Sequence, residues 1–254
     1  MKTTTRAALL SRCNELLQPE RFKDYGPNGL QVEGKNDIAH IVSGVTASRA
    51  LIEAAIQVKA DAIFVHHGLF WRGQDGTVTG WMKQRLALLL EHNINLLAYH
   101  LPLDAHPELG NNAQLARLFG FSVQSKFGDQ ALGLLGQVSQ GAGFSNVQSL
   151  ASHVSQKLGR QAVVVPGDGR ALRNIAWCSG GAQSYFEDAI AAGADAFITG
   201  EISEPQAHLS RETGVAFLAC GHHATERFGA QAVAAHLAQE LGVRHQFIDI
   251  DNPA

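Results

Sequence analysis

Cysteine is scarce in this chain of 254 residues: Cys13, Cys178 and Cys220 are odd in number, far apart and in no C-x-x-C spacing. That excludes a disulfide framework and a thiolate zinc scaffold, and leaves buried thiols in a reducing compartment. No apolar run approaches the roughly 18 residues that a membrane span needs. The N-terminal MKTTTRAALLSRCNELLQPERF lacks the apolar stretch and small-residue cleavage site of an export signal. The expectation is a cytoplasmic protein without a membrane partner. An excess of one charge is missing too: 20 Lys and Arg against 23 Asp and Glu give −3. A binder of polymeric nucleic acid would be strongly basic, and an acidic disordered tail would carry a denser charge block. Three motifs are also absent, G-x-x-x-x-G-K-[ST], H-E-x-x-H and G-x-S-x-G, which removes the usual signatures of phosphate loops, zincins and nucleophile elbows.

What is present is histidine, 12 residues of it, in a chain that is 45% hydrophobic and holds 26 Gly. The length allows between one and two domains and a substantial core. Apolar strands and amphipathic helices alternate. Ile38–Thr46 reads as a strand, and Ser48 caps a helix carrying Leu51, Ile52, Ala55 and Ile56. Asp61–Val65 is a short buried strand, followed by a helix with Trp81, Leu86, Leu89 and Leu90 and a strand at Ile94–Tyr99. A helix from Asn112 stops at Gly120. The order then recurs: strand Arg173–Ser179, helix Gln183–Ala192, strand Asp195–Thr199, helix Glu204–Glu212, strand Val215–Cys220, helix Thr225–Leu241 and a closing strand Val243–Ile250. Between the two series lie a strand at Leu132–Val138, a helix at Val147–Leu158 and a strand at Gln161–Val165. Such alternation implies an α/β protein with substantially parallel sheet.

The repetition reaches individual residues. Lys59-Ala-Asp-Ala-Ile-Phe-Val-His-His-Gly68 lies over Gly193-Ala-Asp-Ala-Phe-Ile-Thr-Gly-Glu-Ile202, and Glu53–Ile56 over Glu187–Ile190 at the same offset. Ile94–Ala98 lies over Val215–Ala219 after a change of gap. Three matches in one order indicate internal duplication into two similar halves rather than a solenoid of short units. The repeats are taken as 1–125, carrying His66, His67 and Asp104, and 126–254, carrying Glu201, His222 and Glu226. No linker marks the boundary, so the halves are expected to exchange elements.

Ligands of open α/β sheets sit beyond the carboxyl ends of the strands, and here those ends collect imidazole and carboxylate. His66 and His67 follow the second strand. They reach one site only if the strand has ended, which Gly68 permits; the plainer reading has one of them packed in the core on a carbonyl. His100 and Asp104 follow the third strand, where Asp104 would otherwise serve a turn. Glu201 stands in the second half where the histidine pair stands in the first. His222 and Glu226 are four apart on one helical face, a spacing that suits a metal ion, although Thr225 as an N-cap followed by an acidic first turn accounts for the same letters. Together His66, His67, His222, Asp104 and Glu226 suit two divalent ions with a bridging carboxylate, zinc, iron, manganese, cobalt and nickel fitting equally. Two such ions activate water near neutral pH, so hydrolysis is the natural reaction class. His100 and Glu201 are the candidate acid/base groups. The other eight histidines, His40, His92, His106, His153, His208, His223, His236 and His245, need no catalytic role. Ser179-Gly-Gly-Ala-Gln-Ser184 offers backbone N–H groups to an anion or simply a tight turn. Trp71 and Arg72 stack on or pair with a substrate, or form a surface loop.

The segments Asp24-Tyr-Gly-Pro-Asn-Gly-Leu-Gln-Val-Glu-Gly34, His66-His-Gly68, His100-Leu-Pro-Leu-Asp-Ala-His-Pro-Glu-Leu-Gly-Asn-Asn112, Ile198-Thr-Gly-Glu201 and Gly221-His-His-Ala-Thr-Glu-Arg227 closely resemble the Nif-three-like dinuclear metal-binding family. Its members are also known as GTP cyclohydrolase 1 type 2 homologs, and the YbgI-like bacterial subgroup is nearest. The middle stretch, Phe121–Arg170, carries none of these motifs. The resemblance implies a duplicated α/β fold of two intertwined halves with mixed sheets. It also implies a two-metal site on the same five residues and a homohexameric ring. The activity it implies is hydrolysis of a small nucleotide or related heterocycle. A non-catalytic metal-binding scaffold or metallochaperone would use the same ligands without an organised substrate pocket. An interaction module has only the family's historical name behind it.

Overall fold

The structure, a computed structural model, describes residues 2–139 and 143–254. The chain forms two compact units, Met1–Gly110 with Gly229–Asp251 and Asn111–Phe228 with Asn252–Ala254. These units are cut differently from the repeat boundary read at 125/126. Helix Asn111–Phe119 and strand Phe121–Phe127 group with the second sheet, and the C-terminal strand returns to the first.

The first unit holds a five-stranded sheet in the order Arg244–Phe247, His40–Thr46, Ala62–His67, Asn95–Ala98, Gly29–Val32. The first four run parallel and Gly29–Val32 is antiparallel at one edge. Alternate residues of the central strands feed two cores, as the two-residue period of a strand requires. Val42, Ile63, Val65 and Leu96 pack on Leu51, Ile52 and Ala55 of helix Arg49–Gln57 and on Leu89 of helix Gly80–Glu91. Ile41, Ala62, Phe64 and Leu97 pack on Leu9, Cys13 and Leu17 of helix Arg6–Leu17 and on Ala230, Val233 and Leu237. Both faces are thus covered, which is why these strands read as continuous apolar runs. Ser48 is the N-cap expected from sequence, its hydroxyl accepting from Leu51 N at 3.2 Å. Leu51 has no exposed surface, and truncating it to Ala would cost about 2–5 kcal/mol.

The second unit holds a six-stranded sheet in the order Phe121–Phe127, Gly133–Val138, Ile175–Trp177, Ala196–Thr199, Ala216–Ala219, Val163–Val165. Only its middle three strands are parallel; the others pair antiparallel. Largely parallel therefore describes the first sheet and only the centre of the second. One face packs on helix Val147–Leu158 through Val147, Leu150 and Val154. Elsewhere in the unit Phe186, Phe197 and Phe217 interlock, the Phe186–Phe217 rings meeting edge to face at 4.9 Å.

The duplication is visible in the registers. Ile41 pairs with Ala62 and Ile175 with Ala196, a constant offset of 134 residues. A carboxylate brace repeats at the same offset. Asp61 Oδ2 accepts from the Ala39 and His40 N–H groups at 2.6 and 2.9 Å, and Asp195 Oδ2 from those of Arg173 and Asn174, both at 2.9 Å. Each brace ties the start of the central strand to the strand before it, so the shared Ala-Asp-Ala has a backbone reason.

Several elements differ from the sequence reading. The second strand runs through His67, because Thr46 remains its partner. The long helix begins at His222 rather than Thr225. Trp81 and Leu90 are 55% and 62% exposed, and Met82 and Leu89 are the residues that helix Gly80–Glu91 buries. Strands Gly29–Val32 and Phe121–Phe127 were not anticipated. Among the described residues no helix is long and apolar enough to cross a membrane. The three cysteines are buried, and burial pushes the Cys13 and Cys220 thiols up to about 12.

Candidate metal centre

In the first unit the parallel strands end on a group of imidazoles. His66 is buried, and its Nδ1 donates to the Tyr99 carbonyl at 3.1 Å. That acceptor fixes the tautomer and leaves Nε2 as the basic nitrogen. Asp104 Oδ2 lies 3.5 Å from that nitrogen, on the short helix Leu101–Ala105. His67 takes its partner from the opposite neighbour, with Nδ1 3.2 Å from Thr46 Oγ1. The two rings nevertheless meet, their centroids 4.5 Å apart. Gly68 makes the turn that follows, and a Cβ there would run into the Gln31 side-chain amide. His100 joins the pair: each of His66, His67 and His100 offers a ring nitrogen, and the three atoms lie within 4.8 Å of one another.

His100 is set by a residue that the sequence reading left without a role. Its Nδ1 donates to Asp24 Oδ1 at 2.7 Å. Asp24 also accepts from Tyr25 N, Leu101 N and Asn28 Nδ2 at 2.7, 2.9 and 2.9 Å. Burial opposes the charge of this carboxyl, but the hydrogen bonds from His100 and Asn28 outweigh it and hold Asp24 below the usual carboxylate range. Asn28 closes the arrangement by accepting from His100 N at 2.7 Å.

In the second unit the equivalent strand ends carry carboxylates. Glu201 Oε1 accepts from His222 Nδ1 at 2.6 Å, and Glu226 Oε1 lies 3.2 Å from the other ring nitrogen, Nε2. Burial of the ring works against its charge, but Glu226 and Glu201, one at each nitrogen, push the His222 pKa up to about 9. Glu226 is almost wholly buried. Gly180, at φ +66°, passes so close that a Cβ would overlap the Glu226 carboxylate. Thr225 is not an N-cap. Its hydroxyl donates to the Gly221 carbonyl and accepts from Gly180 N, both at 2.9 Å, tying the Ser179–Ser184 turn to the first turn of helix His222–Leu241. Three N–H groups of that turn are already taken by side chains: Ser179 by Asn112, Gly180 by Thr225 and Ala182 by Thr199. The tight-turn reading therefore accounts for this segment.

The sequence profile of the Duf34/NIF3 family (NGG1p interacting factor 3) matches residues 4–253. The chain belongs to the Duf34/NIF3 family. A relative from Neisseria meningitidis serogroup B, named GTP cyclohydrolase 1 type 2 homolog, is 52% identical over 245 residues, covering 96% of this chain and 97% of its own. A Pseudomonas aeruginosa relative of the same name is 48% identical over 251 residues and 98% of each chain. Among solved structures, protein ybgI, described as of unknown function, matches with a TM-score of 0.94 at 44% identity over 99% of this chain and 100% of that one. TTHA1606 from Thermus thermophilus matches at 0.88 and 32% identity, with the same coverage.

Within this Duf34/NIF3 chain each unit gathers the candidates that the sequence placed in it: His66, His67, His100 and Asp104 in one, Glu201, His222 and Glu226 in the other. Three of the eight histidines set aside have structural partners in the units that hold them. Arg244 meets His40, Ser43 meets His245, and the Phe119 carbonyl meets His153. The residues missed were those that hold the site rather than form it: Asp24, Asn28, Gln31 and Thr46. A signal for three of them was present, since Asp24, Asn28 and Gln31 recur every three or four residues through a segment rich in Gly and Pro.

Proposed function

We propose that this Duf34/NIF3 protein is a dinuclear metal-dependent hydrolase of a small nucleotide or related heterocycle. The observation that carries the reading is the placement of imidazole and carboxylate groups at equivalent strand ends of both duplicated sheets. In this reading His66, His67, Asp104, His222 and Glu226 hold two divalent ions, with Glu226 or Asp104 as the bridge. The donors fit such ions. His66 is anchored through Nδ1, which turns Nε2 towards Asp104, and Gly180 leaves room at Glu226 that any side chain would fill. Imidazole and carboxylate together suit zinc, iron, manganese, cobalt or nickel. When bound, the ions would lower the pKa of water and stabilise developing negative charge.

The protein groups supply the rest. His100, its Nδ1 proton held by Asp24, takes or gives a proton at Nε2. Glu201 fixes the His222 ring through Nδ1, a positioning role of the kind that carboxylates play behind metal-bound imidazoles. The name shared by the relatives directs the substrate towards GTP and kindred heterocycles. Assembly as a homohexameric ring and residence in the cytoplasm belong to the same proposal. The test is metal analysis of the purified protein, followed by assay of GTP and related nucleotides before and after chelation, with sedimentation reporting the copy number. Turnover lost on chelation and restored by metal supports the hydrolase. Two bound ions without turnover, but with transfer to an acceptor, would replace it with the metallochaperone.

A further inference from the structure

Beside the imidazoles of the first unit lie two aromatic side chains, Tyr25 and Trp71. Tyr25 is 59% exposed, unusual for a ring of its size. Its centroid lies 6.1 Å from that of His100 at an interplanar angle of 68°. Trp71 approaches His100 edge-on, 5.0 Å away at 87°, and His67 at 5.9 Å. Two imidazoles, an indole and a phenol thus form one continuous aromatic surface at the carboxyl end of the sheet.

That surface is built rather than incidental. The segments bearing Tyr25 and Trp71 are far apart in sequence and are joined by two hydrogen bonds from Arg72. Arg72 N donates to the Tyr25 carbonyl and Arg72 Nη2 to the Asp24 carbonyl, both at 2.6 Å. Gly26 is required where they cross, because a Cβ would strike the Phe70 carbonyl. Trp71 N donates to Gln74 Oε1 at 3.0 Å, and Leu69 N donates to Gln31 Oε1 at 2.7 Å, pinning the other side of the loop. Asp24 anchors both sides, holding His100 through its carboxylate and Arg72 through its carbonyl.

We propose that Tyr25 and Trp71 form a stacking subsite for a planar nitrogen heterocycle, holding a purine-like base against the imidazoles so that its ring atoms face His100. The proposal rests on the reading of this region as a small-substrate site and adds what recognises the substrate. Aromatic faces favour flat, polarisable rings over sugars and phosphates, with little dependence on the hydrogen-bonding edge.

The test titrates GMP and ribose 5-phosphate into the metal-loaded full chain by calorimetry, with intrinsic fluorescence followed in a Trp81→Phe background. The remaining tryptophans are then Trp71 and the fully buried Trp177. GMP should quench the emission and ribose 5-phosphate should not. Trp71→Ala and Tyr25→Ala should each weaken GMP binding roughly tenfold or more, while Trp71→Phe and Tyr25→Phe stay within about threefold. Metal content, measured on every variant, should be unchanged. Wild-type GMP affinity in Trp71→Ala, equal affinity for ribose 5-phosphate, or no GMP binding by the metal-loaded chain would each overturn the subsite. A wild-type chain that takes up no metal but still binds GMP through Trp71 would overturn the hydrolase reading and leave the subsite standing.

Discussion

In the first unit the central strand Ala62–His67 ends in two imidazoles, whereas the equivalent strand of the second unit, Ala196–Thr199, stops earlier and is followed by Gly200 and Glu201. Behind these ends the two units share register and brace, with Asp61 and Asp195 accepting from corresponding pairs of backbone N–H groups. Duplication has kept what the backbone needs and varied what the rim presents. One copy gathers three imidazoles and a carboxylate, the other two carboxylates around one imidazole. Imidazole dominates one set and carboxylate the other, and the proposed two-metal reading draws ligands from both, which would make the copies complementary rather than redundant.

The largest expected effect separates donors from supports. Under the two-metal reading, Glu226→Gln or His66→Ala should weaken metal binding at least a hundredfold. Glu201→Gln, which acts through His222, should cost 10- to 100-fold at most, the range seen for outer partners of metal ligands, and Asp24→Asn, which acts through His100 outside the ligand set, should leave metal affinity nearly unchanged. Elemental analysis after dialysis against a graded chelator would measure both. Two ions retained by Glu226→Gln would remove that residue from the ligand set and with it the complementarity of the copies.

Next comes the brace itself. Asp61 is buried and also pairs with Lys35 Nζ at 2.5 Å, whereas Asp195 is only half-buried. Removing either carboxylate leaves two backbone N–H groups without their acceptor, and the desolvation cost grows with burial. Asp61→Ala should therefore lose about 2–4 kcal/mol and Asp195→Ala about 1–2 kcal/mol in urea unfolding. Equal losses would show that the copies differ only at their rims.

The buried strands were legible because both of their faces are covered: Ala62–Val65 and Ala216–Ala219 are unbroken apolar runs. Edge strands were not. Phe121–Phe127 exposes every residue between its two phenylalanines, and Gly29–Val32 opens on a glycine, so neither shows a buried run. His66 and His67 looked like the end of a strand because histidine breaks an apolar run, yet the ladder continues to Thr46. Thr225 suits an N-cap by residue type, but its hydroxyl is committed to Gly221 and Gly180 one turn inside the helix. Asp24 was invisible as a partner because His100 is 76 residues away. Local pattern reports which face is buried; it does not report which distant side chain completes a carboxylate.

Acid should expose the same asymmetry. Burial opposes the charge of Asp61, but the Lys35 ammonium and the Ala39 and His40 N–H groups prevail and hold its pKa below the usual carboxylate value. A depressed folded pKa means that its contribution is fully present above the unfolded value near 3.9 and is lost as pH falls through the folded value. Melting followed from pH 6 downwards should show wild type and Asp61→Asn approaching one another only below about pH 4. A gap that closes already at pH 5 would mean that the brace is not the ionised group responsible.

The smallest effect compares one helix start from each unit, at helices that do not correspond in the duplication. Helix Arg49–Gln57 is capped by Ser48, which accepts from Leu51 N. Helix Val147–Leu158 is capped by Asn146, where Ser149 N donates to Asn146 Oδ1 at 3.0 Å and Asn146 N reaches back to Ser149 Oγ at 3.4 Å. Either substitution to Ala should cost about 1 kcal/mol. Asn146→Ala should cost slightly more, because it breaks the acceptor half of a reciprocal box while the Ser149 hydroxyl keeps only its return contact. Since each cap belongs to one unit, hydrogen exchange can read the two losses separately, Ser48→Ala loosening amides of 49–57 and Asn146→Ala those of 147–158. Loosening that spread equally through both units would show that they open as one cooperative body, and the differences between the copies would then be confined to chemistry at the strand ends.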